Sequence, residues 1–171
     1  VTNLASLASW TADQFDPTLT WEDIAWIKDR WKGKLILKGI MDSEDAMLAV
    51  KAGADAIIIS NHGGRQLDGA PSTISVLPEI VDAVNSKVEV HFDGGVRSGQ
   101  DVLKALALGA DCIHIGRPYV YGLGAKGQEG VEIAIEIIKK ELDLTMAMCG
   151  ETNISNVGLH NLHHNPFKII N

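Results

Sequence analysis

The segment Ser60-Asn61-His62-Gly63-Gly64-Arg65-Gln66-Leu67-Asp68-Gly69 gathers the groups of this chain best suited to chemistry. An imidazole exchanges a proton near neutral pH. A guanidinium a few residues later offers a planar, two-pronged clamp for a carboxylate or phosphate. Gly63 and Gly64 let the backbone approach a ligand closely and bring both side chains to one small surface. Just before them, Ala56 to Ser60 is a short apolar run rich in β-branched residues, as expected of a buried parallel strand. Delivering a base and an anion clamp from a strand's carboxyl end is how α/β enzymes build their sites.

Two further strand ends are rich in glycine and arginine. A strand from Val88 to Phe92 runs into Asp93-Gly94-Gly95-Val96-Arg97, and one from Cys112 to Ile115 runs into Gly116-Arg117-Pro118. Glycines at 94, 95 and 116 would open the backbone to an anion, with Arg97 and Arg117 supplying charge. Another strand, Leu35 to Gly39, carries Lys38, which is either a snorkelling rim side chain or a fixed cation facing the ligand. His91 and His114 fall within strands and read as satisfied core or helix-facing histidines. His160, His163 and His164 lie in a polar tail, where their spacing, with no acidic or thiol residue close by in the sequence, makes a poor metal site, so no metal is expected.

The elements that must position these groups alternate. Helices are expected over Trp21 to Trp31 with Thr20 as N-cap, Ser43 to Lys51, Val76 to Val84, Gly99 to Leu108 and Glu129 to Met148. The tail from Glu151 onward reads as weakly ordered, and Trp10, Trp21, Trp26 and Trp31 as a stripe packing a helix onto the sheet. Val50 to Asp55 and Leu106 to Asp111 repeat one module: a helix end, a Gly-Ala-Asp turn, then an apolar strand. Alternating βα units imply a parallel sheet with right-handed crossovers. Lys38, His91 and Asp93 converge polar groups at the strand ends, which favours a barrel mouth over a doubly wound sheet. A complete barrel needs eight strands and about 250 residues. Four strands are found, so the fold class expected is α/β: half of a TIM (β/α)8 barrel. In barrels the loops after the seventh and eighth strands commonly hold phosphate, which assigns the two glycine-arginine loops if this is the C-terminal half.

Composition narrows the functional classes. The net charge of -7 argues against nucleic-acid or anionic-membrane partners. No apolar run reaches membrane-span length and no signal peptide is seen. Two cysteines are too few for a disulfide scaffold; Cys112 reads as a small core residue in a reducing, cytoplasmic compartment.

Leu37-Lys38-Gly39-Ile40, Ser60 to Asp68, Phe92 to Ser98 and Gly116-Arg117-Pro118 together resemble the FMN-dependent 2-hydroxy-acid oxidases and dehydrogenases. The resemblance runs from about Leu19 to Cys149. The Ser-Asn-His-Gly-Gly-Arg-Gln segment is its most specific part, since other FMN barrels share only the phosphate loops. It implies oxidation of a lactate-type L-2-hydroxy acid to the 2-keto acid, with FMN as cofactor. His62 would be the base and Arg65 the carboxylate clamp, with Lys38 beside the N1/O2 edge of the flavin and Ser60 hydrogen-bonded to it. Asp93, Gly94, Gly95, Val96 and Arg97, with Gly116 and Arg117, would hold the ribityl chain and phosphate. The family's first barrel half, with its substrate tyrosines and the aspartate that orients the base, has no counterpart here. Residues 1–18 resemble the loop before the fifth strand, and residues 150–171 form a C-terminal tail. Partners implied are a small 2-hydroxy acid and either the N-terminal half of the barrel or a second copy, in an enzyme that is a homo-oligomer when whole. The competing expectation is a catalytically inert half-barrel that folds, self-associates or binds only phosphate or flavin.

Overall fold

The computed structural model describes residues 10, 14, 16 and 18–163. Four strands, β1 (Ile36–Ile40), β2 (Ala56–Ile59), β3 (Glu89–Phe92) and β4 (Cys112–Ile113), form one sheet in sequential order, and every pair is parallel. Helix α1 (Trp21–Trp31) precedes β1. Helices α2 (Ser43–Lys51), α3 (Thr73–Val84) and α4 (Gly99–Ala107) connect successive strands, and α5 (Arg117–Met148) follows β4. Parallel neighbours need such crossovers, and the short strands flanked by glycine turns supply them.

The pleat sorts the side chains. Ile57, Ile59, Val90 and Phe92 are buried against a helical layer that contributes Ala46, Ala49, Leu77, Ile80, Val84 and Ala105. Alternate positions turn to the opposite, concave face, where Ile36 is 45% exposed and Lys38 lies beside Asp93. Among the described residues, the outer edges of β1 and β4 have no strand partner.

The repeated Gly-Ala-Asp turn is a staple. Asp55 N–H donates to Leu35 C=O at 2.8 Å, and its carboxylate accepts from Leu35 N–H at 2.8 Å. Asp111 does the same to Val90, at 2.8 Å in both directions. In each unit the preceding alanine closes the helix end, Ala54 onto Ala49 and Ala110 onto Ala105, both at 3.1 Å.

Several expected boundaries shift. The first strand is displaced by one residue, because the register slips between Lys38 and Ile40 around Gly39. The second ends at Ile59 rather than Ser60, whose hydroxyl turns to Lys38 instead. The third begins at Glu89, and the fourth spans only Cys112–Ile113, since pairing with β3 runs out there. α3 begins at Thr73, not Val76: Thr73 is buried and its hydroxyl donates to Gly94 C=O at 3.3 Å, a tertiary contact that apolar spacing does not signal. α4 stops one residue early, at Ala107.

The last helix departs most from expectation. It starts at Arg117 rather than Glu129 and is broken at Lys126 and Gly127. Its two arms pack so closely that a Cβ at Gly130 would lie 1.8 Å from Gly122 O, so only glycine fits at that contact. The described part of the tail, residues 151–163, is also better ordered than expected. Glu151 accepts from Asn161 Nδ2 at 3.0 Å and pairs with His160 Nε2 at 2.8 Å, across two short 3₁₀ turns, Ile154–Asn156 and Leu159–Asn161. The tryptophan stripe does not form: Trp26 and Trp31 are exposed, Trp26 under Arg30, and only Trp21 packs against the core. Most of residues 1–18, and His164, lie outside the described residues.

Candidate active site

The carboxyl ends of the four strands open on one cavity of about 430 Å³. Lys38, His62, Arg65, Asp93, Gly94, Gly95, Val96, Arg97, Gly116 and Arg117 all line it. Ser60 sits just behind, almost fully buried. The residues expected from four separate strand ends are therefore together, within the volume range of small-molecule sites.

On the cavity floor, Lys38 Nζ pairs with Asp93 Oδ2 at 2.8 Å and also donates to Ser60 Oγ. This fixes a cation between β1, β2 and β3 while leaving it about half exposed to a ligand. Of the two readings left open for Lys38, the fixed cation fits this geometry. Ser60 Oγ also accepts from His62 N–H at 3.2 Å, tying the histidine loop to the lysine.

His62 stands in the left-handed region, with φ 55°. A non-glycine residue there carries strain of roughly 1 kcal/mol, which its surroundings must hold. Asn61 does much of the holding: its Oδ1 accepts from Gly64 N–H and its Nδ2 donates to Pro71 C=O, each at 3.2 Å. Arg117 Nη2 closes the loop from the β4 side by donating to Gly63 C=O at 3.0 Å. The His62 imidazole makes no hydrogen bond with any described side chain and faces the cavity.

The two glycine loops have the makings of an anion site. The N–H groups of Gly94, Gly95 and Gly116 donate to no acceptor among the described residues. Added Cβ atoms at Gly95 and Gly116 would meet open space. Arg97 N–H is taken by Asp101 Oδ2 at 3.0 Å within the cap of α4, so only the side chain of Arg97 is available to a ligand. Gly116 precedes the first turn of α5, where the helix dipole favours negative charge. Free backbone donors flanked by two arginines and a lysine suit a phosphate-bearing cofactor with a polar ring edge, so FMN fits this donor set.

Sequence reasoning missed part of the wall. Tyr119, Val120, Ile115 and His114 also line the cavity. Tyr119 and Val120 belong to a first turn of α5 that the apolar spacing does not signal, and His114 reads from the sequence as a satisfied core or helix-facing histidine. Instead His114 meets His91, Nε2 to Nδ1, at 3.1 Å, both on the concave face away from the helices. Burial, with His91 beside it, pushes the His114 imidazole below its usual range, against the pull of Asp93. Cys112, expected in the core, is only partly buried on the same face.

A sequence model of the family described as FMN-dependent dehydrogenase matches residues 1–164. 2-Hydroxyacid oxidase 1 of Mus musculus is 48% identical over 165 residues, which cover 96% of this chain and 45% of the mouse protein. An L-lactate dehydrogenase of Vibrio cholerae serotype O1 (strain M66-2) is 45% identical over 161 residues, covering 94% of this chain and 43% of that protein. A crystal structure of mandelate oxidase matches with a TM-score of 0.84 at 46% identity, over 90% of this chain and 44% of the other. The chain belongs to the FMN-dependent dehydrogenase family, and its four βα units are part of a (β/α)8 barrel. It spans less than half the length of the curated relatives it matches.

Proposed function

We propose that the protein carrying this chain oxidises a lactate-type L-2-hydroxy acid to the 2-keto acid, with FMN lying across the carboxyl ends of β1 to β4. The observation that carries the reading is the opening of His62, Arg65 and Lys38 onto one cavity, beside free backbone donors at Gly94, Gly95 and Gly116. FMN, when bound, supplies the acceptor for the two electrons that leave the substrate. Arg65 clamps the substrate carboxylate, and His62 takes a proton, from either the α-carbon or its hydroxyl. Lys38, held by Asp93 and Ser60, sets positive charge at the polar edge of the ring site. Arg97, Arg117 and the glycine N–H groups bind the phosphate. His62 as base would be oriented from the part of the barrel outside this chain. Among the described residues no helix is long and apolar enough to cross a membrane, and both cysteines are free thiols; a reducing, cytoplasmic site of action accords with this.

The open concave face and unpaired sheet edges favour a second reading, a half-barrel that folds and associates without turnover. Anaerobic mixing of the purified protein with L-lactate, glycolate or L-mandelate separates the two. Bleaching of bound yellow flavin by at least one acid, slowed at least about 10²-fold by His62→Gln with flavin retained, is expected. Colourless protein would favour the second reading, and bleaching at an unchanged rate in the variant would remove His62 from the role of base.

A further inference from the structure

The concave face carries a cluster that the proposed reaction does not use. Cys112 is the register partner of His91, and His114 follows Cys112 by one pleat, so all three side chains share one face. Their candidate ligand atoms lie within 4.8 Å of one another, and His91 Nδ1 and His114 Nε2 stand 3.1 Å apart. Around a tetrahedral zinc ion, with bonds of about 2.0–2.1 Å to nitrogen and 2.3 Å to sulfur, neighbouring donors sit about 3.3–3.6 Å apart. The two nitrogens are already near that spacing, and the thiol needs only a rotamer-scale adjustment.

Proton placement points the same way. His91 Nε2 lies 3.2 Å from Glu89 Oε2. A carboxylate only accepts, so it holds the imidazole proton on Nε2 and leaves the Nδ1 lone pair facing His114 and Cys112. A carboxylate behind a ligating imidazole is the outer-shell arrangement that orients histidines on metals. His91 is 8% exposed, so its bare lone pair has little access to water.

We propose that His91, Cys112 and His114 bind one zinc-class divalent cation, with Glu89 orienting His91 and a fourth position taken by water. The thiolate selects zinc over magnesium or calcium, which take oxygen ligands. Binding displaces the Cys112 proton to solvent, moves the Nε2 proton that His114 donates to His91 onto the other nitrogen of the His114 ring through solvent exchange, and replaces that hydrogen bond by two metal–nitrogen bonds. Because His114 also lines the floor of the cavity, the ion lies directly beneath the candidate active site. This departs from the expectation of no metal, in which His91 and His114 read as satisfied core or helix-facing histidines; the pairing of His91 with Cys112 exists only in the folded sheet.

The test is zinc content after saturation with zinc sulfate and gel filtration of the purified protein. About one zinc per chain is expected for the wild type, falling at least tenfold in Cys112→Ser and in His114→Asn. Cys149→Ser and His160→Asn, remote from the cluster, should retain the full content. Zinc-edge X-ray absorption of the wild type should give one sulfur and two imidazole nitrogens, and it decides the matter even if a variant fails to fold. Wild-type protein that emerges free of zinc, zinc retained in Cys112→Ser, or a coordination shell without sulfur would each overturn the site.

Discussion

At the scale of single residues, the division of labour in the cavity sets what each substitution should do. Arg65 lines the cavity and takes no part in the Lys38–Asp93–Ser60 network, so its removal should act on the substrate and spare the flavin. Losing a charge-assisted pair of hydrogen bonds costs about 1.5–3 kcal/mol. Arg65→Met is therefore expected to raise KM for the 2-hydroxy acid about 10- to 100-fold, with flavin content unchanged by absorbance. Gly94→Ala should do the reverse. A Cβ there would lie 2.7 Å from Thr73 Oγ1 at a φ of +99°, displacing the loop and lowering flavin occupancy before it touches KM. His62, Arg65 and Lys38 were legible in the sequence because their types are reactive and they follow apolar runs. Asn61 and Thr73 were not. Each acts through a partner 10 or 21 positions away, Pro71 and Gly94, and nothing in local spacing announces such a contact.

At the scale of elements, the turns and the long helix carry the testable weight. Lys28, Leu35 N–H and Lys34 hold the Asp55 carboxyl well below the usual carboxylate range. A depressed folded pKa contributes stability above the ordinary value of 3.8, and that stability is lost as pH falls below it. Melting temperature should accordingly drop in acid, and Asp55→Asn should be less stable at neutral pH with a flatter acid limb. Thermal melts across pH 3 to 7 read both (about one unit below to three above the ordinary carboxylate value). In α5, Gly130→Ala places a methyl group against the Gly122 carbonyl, and overpacking of this kind costs about 1–3 kcal/mol. A lower urea midpoint at unchanged slope is the expected result. The βα alternation and the Gly-Ala-Asp repeat were readable from periodicity. The first arm of α5 was not, because Gly122, Gly124 and Gly127 lower helix propensity and the packing that repays them is tertiary.

At the scale of the whole molecule, the sheet has two unpaired outer edges among the described residues and a concave face where Ile36 meets solvent. Open edges with apolar side chains recruit further strands. The protein is expected to close its barrel, through further βα units or through a second copy related by two-fold symmetry. Native mass spectrometry of this 18.4 kDa chain alone should show dimers or aggregates, whereas a stable monomer would mean the edges are covered in another way. Four parallel strands were countable in the sequence. The alternation of Glu89 and His91 with Val90 and Phe92 gives the two faces of β3, but not the pairing that sets His91 beside Cys112 of β4, since register between strands is a tertiary property.

The aspartate staples also bear on how the chain reaches this fold. They join residues 20 and 21 positions apart, Leu35 to Asp55 and Val90 to Asp111. Loop-closure entropy grows only slowly with length, and each closure seats the start of the next strand against the one before it. Contact order is thus kept low for a parallel sheet, a topology that otherwise folds slowly. Each unit can form as it is synthesised, in order from the amino end. Breaking the Asp111 staple should then leave the earlier units able to form and slow only the addition of β4.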